Sequence, residues 1–186
     1  MITVGFKRAT VATFDVAGVV QNTHVVEGLA TKGATTEAQI TGLSPESKTA
    51  WGSDVGYYIS QKGVGELKLE LSVLDLTFEM QNDVLGWTTD ATLGFTAVGD
   101  QTEPPYTATV LESVNAQNEP VAFAFFRGRY TKDEFGLKTR TNEAFEPEPE
   151  KLVMNCVAND SGLSYGMAVG AENVAKLKAY AIPAAA

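Results

Sequence analysis

The stretch from Gly65 to Gly86 constrains this chain more than any other. Leu67, Leu69, Leu71 and Val73 alternate with Glu66, Lys68, Glu70 and Ser72, the period of two that marks a strand with one dry face and one wet face. The rhythm then changes. Asp75 offers an N-cap, Leu76, Met80 and Val84 recur at helical spacing, and Gly86 suits the left-handed residue that closes a helix. A chain built around this unit must pack a strand face and a short helix on one core, and the remaining segments are mostly of β type.

Thr10–Asp15 and Val19–Gly28 read as strands around an Ala17-Gly18 turn. Tyr106–Val114 and Pro120–Tyr130 flank the polar turn Asn115–Glu119 and read as a hairpin. Within it Val121–Phe126 is wholly apolar, as a central strand buried on both faces requires. Gly94–Val98, Phe135–Thr141 and Lys151–Asn159 are further strand candidates, and Glu172–Tyr180 is a candidate terminal helix. Residues 31–63 carry five glycines and Pro45, and read as a long loop with short strand candidates at Thr35–Ile40 and Val55–Ile59. Loops of that length are uncommon in compact domains unless they function. Trp51, Tyr57, Tyr58 and Ile59 argue that this one packs on something, such as another subunit. Deleting 35–52 is therefore expected to spare the fold.

With 186 residues the chain fits one domain, expected over 1–170, followed by a C-terminal arm over 171–186. No apolar run approaches the roughly 20 residues of a membrane helix, and the opening Met1–Lys7 lacks the apolar stretch of a secretory signal. Cys156 is the only cysteine, so no internal disulfide forms. A formal charge of −9 argues against wrapping DNA by neutralising phosphates.

Catalytic patterns are thin. His24, the only histidine, lies in a strand pattern with no metal-ligand spacing and reads as structural. Cys156 reads as a small buried residue on a strand face. No Gly-x-Ser-x-Gly elbow, phosphate loop or dinucleotide fingerprint occurs, and no cofactor is implied. Glu66 and Glu70, with Lys68 between them, read as a solvated strand face rather than a carboxylate pair for glycoside hydrolysis. Trp51 and Trp87 read as core or interface residues, with a carbohydrate-stacking module as the alternative function. Two charged blocks stand out. Arg127–Arg140, which includes Arg129, carries five cations against two carboxylates, and Glu143–Glu150, which includes Glu146 and Glu148, is purely acidic. Complementary blocks of this kind set register between subunits.

Several segments, in this order, resemble one family: MITVGFKRATVATFD, VVEGLATKGATTEAQITGLSPESKTAWGSDVGYYISQKGVGELKLELSVLDL, DVLGW, TEPPYTATVLES and EPVAFAFFRGRYTKDEFGLKTRTNEAFEPEPEKL. Together they are similar to the major tail tube proteins of long non-contractile phage tails, in the group infecting Gram-positive bacteria. The resemblance implies a mainly β fold, a tail-tube-type β-sandwich or half-barrel with one flanking α-helix at about 76–85 and a long loop at about 31–63. It implies a structural virion protein rather than an enzyme, made in the host cytoplasm. Hexameric rings would stack into the conduit for genome delivery, alongside tape-measure and tail-tip or terminator proteins, with DNA passing through unbound. In that setting Trp51, Tyr57, Tyr58, Arg127, Arg129, Glu146 and Glu148 are expected at interfaces, and Glu66 and Glu70 on the lumen face.

Overall fold

The computed structural model describes residues 2–92, 94–140, 142, 144 and 146–184. Its centre is the strand pair predicted as a hairpin, β9 (Thr107–Asn115) and β10 (Pro120–Thr131). Asn115 holds the turn between them, its side-chain oxygen accepting from the backbone N–H groups of Gln117 and Glu119 at 3.0 and 2.8 Å. Around this pair lie β1 (Thr3–Phe14), β2 (Val20–Val26), β3 (Ala34–Thr41), β6 (Lys68–Leu74), β11 (Glu150–Cys156) and β12 (Tyr165–Val169). They form one antiparallel sheet in the order β2-β1-β9-β10-β11-β6-β3, with β12 branching from β10. The sheet curls on itself: β3 at one end meets β1, where the Thr35 hydroxyl donates to the Phe6 carbonyl at 3.0 Å.

The expected alternation in β6 holds. Leu67, Leu69, Leu71 and Val73 are 0–2% exposed and face Val11, Phe125, Leu152 and Met154 in the main core. Burying one such side chain contributes about 1.5–3 kcal/mol. The helix that follows, α1 (Phe78–Leu85), adds Met80, Val84 and Leu85 to the same core. It starts two residues later than the spacing suggested. Thr77, not Asp75, is its N-cap, accepting from the Met80 N–H at 3.3 Å, because Thr77 has the extended backbone a cap requires whereas Asp75 is left-handed at φ 53°. Gly86 closes the helix at φ 67°, and a Cβ there would lie 2.3 Å from the Glu103 carbonyl oxygen.

The wholly apolar run in β10 is buried on both faces. Phe123 and Phe125 point into the main core, while Ala122, Ala124 and Phe126 point into a second core beneath α2 (Ala171–Ala181). This helix is the terminal candidate read at Glu172–Tyr180, and it adds a second helix to the single flanking one that the resemblance implied. The stretch expected as an arm begins as this helix, whose Val174 and Ala181 are buried against the sheet. Residues 185–186 lie outside the described residues.

The expected long loop at 31–63 is corrected by the structure. It contains β3, an integral strand of the main sheet, and a separate two-stranded hairpin of β4 (Lys48–Gly52) and β5 (Val55–Ser60). Ala38 and Ile40 pack on the core, so residues 35–52 are not dispensable for folding. The hairpin was hidden because its turn uses Ser53 and Asp54, at φ 52° and 61°, instead of the Asn-Gly that usually signals two left-handed residues. A second small hairpin pairs β7 (Thr88–Asp90) with β8 (Phe95–Ala97). Residues 135–140 are not a strand, contrary to expectation, and Thr141 lies outside the described residues. Phe135 and Leu137 stand largely in solvent there, with the Lys132 Nζ 4.8 Å from the Phe135 ring centroid.

Two buried acids sit in this core. The Tyr130 hydroxyl bonds Thr109 at 2.8 Å, and burial raises its pKa. Cys156 is half-buried, and burial pushes its thiol up to about 12. Folded, both keep their protons at a pH where the unfolded chain ionises, near 10.0 and 9.0. Their contribution is therefore complete below pH 9.0 and is lost as pH rises. Denaturant titrations between pH 8 and 11 should show falling stability, with a smaller fall in a Tyr130→Phe, Cys156→Ser double variant.

Candidate functional site

The β4–β5 hairpin stands apart from both cores. Every residue of its two strands is exposed, although Trp51, Val55, Tyr57, Tyr58 and Ile59 are apolar or aromatic. Trp51 and Tyr57 are 74% and 84% exposed. Pairing runs from Lys48 opposite Ser60 to Gly52 opposite Val55, with an irregularity between Ala50 and Trp51. A two-stranded hairpin is only marginally stable in water on its own, and large exposed apolar patches mark contact surfaces. The sequence is right for a strand pair, and among the described residues nothing covers it.

The base of the hairpin is tightly built. The Gly65 N–H donates to the Gly42 carbonyl at 2.9 Å, which brings the two limbs together. Gly42 sits at φ 74°, and a Cβ there would fall 1.9 Å from the Glu66 carbonyl oxygen. No side chain fits without moving backbone, so this neck sets where the hairpin leaves the sheet.

The other expected site residues lie elsewhere. Arg127 and Arg129 project from β10 over the Tyr106 ring, their guanidinium carbons 4.2 and 4.3 Å from its centroid. Arg127 pairs with Asp160 at 3.0 Å and Arg129 with Glu103 at 2.7 Å. Glu146 and Glu148 lie in an exposed segment without regular structure, and Glu148 pairs with Lys138. The basic and acidic blocks therefore meet partly within one chain. Glu143 lies outside the described residues. Glu66 is 93% exposed, 3.7 Å from Lys68. Glu70 accepts from Lys151 at 2.8 Å, a bond that raises the Lys151 pKa. Trp87 packs against the main core, so it shares no platform with Trp51.

His24 bonds Asp83 of α1 through Nε2 at 2.7 Å, and Asn22 donates to the same carboxylate at 2.9 Å. The histidine thus ties β2 to α1, a structural role. Sequence reading missed Lys132, whose side chain is only 3% exposed. It donates to Gln81 at 2.6 Å and pairs with Glu150, joining α1, β10 and β11. A lysine beside a strand end gives no sign in sequence that it will be buried. Among the described residues, no group of three or more His, Cys, Asp and Glu side chains could hold a metal ion.

The site is thus a curled antiparallel sheet carrying an aromatic hairpin that the described residues leave exposed. The family model described as phage tail tube protein matches residues 1–167. The chain belongs to that family, and its place is the tail of the virion. No curated protein matches it.

Replacing Trp51, Tyr57 and Tyr58 together by serine should leave the stability of the monomer within about 0.5 kcal/mol per site, since none is buried. Gly42→Ala should cost at least about 1–2 kcal/mol from the left-handed backbone alone. Urea unfolding of both variants checks the contrast.

Proposed function

We propose that this chain is a ring- and tube-forming subunit whose β4–β5 hairpin is an assembly element docking on neighbouring copies. The observation that carries this reading is the hairpin itself: five large apolar or aromatic side chains held in water on a neck too tight for a Cβ. Burying them at a contact supplies the driving force, since each Å² of apolar surface removed from water is worth about 25 cal/mol. Ordering the hairpin against a neighbour costs conformational entropy that this burial must exceed.

The resemblance to long non-contractile tails supports six copies per ring, rings stacked into a conduit, and passage of DNA and a tape-measure protein through it. It also supports ends closed by tail-tip and terminator proteins, and a Gram-positive host. In this arrangement Glu66 and Glu70 belong to the wall facing the bore. The net charge of −9 keeps DNA sliding rather than adhering. At 0.15 M salt the Debye length is about 8 Å, so that repulsion acts close to the wall, where adhesion would begin. Arg127, Arg129, Glu146 and Glu148 belong to lateral contacts, where charge complementarity sets register.

Electron microscopy of the purified protein at rising concentration, with and without tail initiator proteins, tests the reading. Rings and tubes are the expected outcome, and the triple serine variant should remain monomeric while folded. A wild-type chain that stays monomeric under all these conditions by light scattering would overturn the proposal.

A further inference from the structure

Between β10 and β11 the described residues among 132–149 form no regular structure. Lys132 and Glu150 clasp the root of this segment. Lys138 and Glu148 form a second rung farther out. Unstructured segments of this length in compact domains usually serve a function. The part from Phe135 to Arg140 is amphipathic: Phe135 and Leu137 are 68% and 88% exposed, Lys138 and Arg140 are cationic, and no carboxylate lies among them.

Elsewhere the fold leaves an open groove of about 1030 Å³. It runs between the β1–β2 turn, the Glu103–Tyr106 stretch, the turn after β11 and the end of α2. Its apolar lining includes Pro104, Pro105, Tyr106 and Tyr180. Its charged lining is Asp15, Asp83, Glu103 and Asp160 against Arg127 and Arg129; Glu103 and Asp160 are paired with the two guanidiniums, so the surplus negative charge rests on Asp15 and Asp83. The groove therefore suits an extended occupant that is apolar on one side and basic on the other. None of the described residues among 132–149 lines it.

We propose that the Phe135–Arg140 segment of one copy lies in this groove of the next. This rests on the assembly reading above but names a contact separate from the β4–β5 hairpin. Leu137 and Phe135 lie against the surfaces of Pro104, Pro105 and Tyr180, and Arg140, together with Lys138 exchanged from its own Glu148, reaches Asp15 and Asp83. The contact is head-to-tail, because segment and groove are different surfaces of one chain. Such contacts close into a ring when the rotation between copies allows it.

Paired cysteines test the proposal. In a Cys156→Ser background, Leu137→Cys is combined with Ser161→Cys at the groove rim, and a short bismaleimide is added under assembly conditions. A covalent ladder extending past the dimer is expected, absent from either single-cysteine chain and lost when Lys138→Glu and Arg140→Glu are added. Tubes visible by microscopy without a ladder would overturn this contact and leave the assembly reading standing. Consumption of both thiols within single chains would also overturn it, by placing the segment in its own groove. Monomers with no ladder at any concentration would overturn both readings.

Discussion

Strand β10 is shared among more neighbours than a strand has edges, and the rest of the structure follows from how it manages this. One edge pairs with β9 along most of its length. The other pairs first with β12, over Val121–Phe125, and then with β11, over Gly128–Thr131. Against β9, Phe125 faces Thr109 while Gly128 faces Thr107, so β10 carries one extra residue there. Such a bulge bends the strand and reverses which face later side chains occupy. That is why Phe125 and Tyr130, five positions apart, both point into the main core. At the bend there is no room to spare: a Cβ on Gly128 would lie 2.6 Å from the Asn155 carbonyl oxygen. The sheet therefore turns a corner at this point, with one part covered by α2 and the other wrapped around the leucines of β6.

Two threonine hydroxyls buried near this corner are matched to partners. The Thr107 hydroxyl donates to the Gly128 carbonyl at 3.1 Å, and Thr109 bonds Tyr130. An unmatched buried hydroxyl would cost about 1–3 kcal/mol, so these pairs help select one packing of the bend. At the surface, a chain of charges runs from Lys32 through Glu27, Arg8 and Glu112 to Lys178. It links β2, β1 and β9 to α2. Lys32 and Arg8 hold the Glu27 carboxyl below its usual pKa range. Exposed pairs of this kind add little each, yet together they orient the helix that covers the back of β10.

Rigidity in the body gives meaning to what projects from it. The apolar residues of the β4–β5 hairpin and of the 135–140 segment stay outside a body whose own core is closed, and both are attached at tight roots. In the assembly proposed for this member of the phage tail tube family, such projections serve as contact surfaces, and their solvent exposure is a property of the single chain.

Local pattern was enough to read much of this chain. The alternation of β6, the spacing and closing Gly86 that place a helix after it, and the doubly buried run of β10 each depend on neighbours in sequence. Local pattern also set Trp51, Tyr57 and Tyr58 apart, since aromatic residues clustered among glycines have no local core to join, and the structure leaves them exposed. What local pattern did not contain was the outcome of competition between distant segments. Thr77 displaced Asp75 as the cap because backbone angles decided which side chain could reach an N–H. Ser53 and Asp54 made a turn that no Asn-Gly announced, and β12 became a strand because β10 had an open edge for it. Sequence by itself determined which faces must be dry. Tertiary structure decided which strand lies beside which, where β10 bends and that Lys132 is buried, because those depend on contacts between residues far apart in the chain.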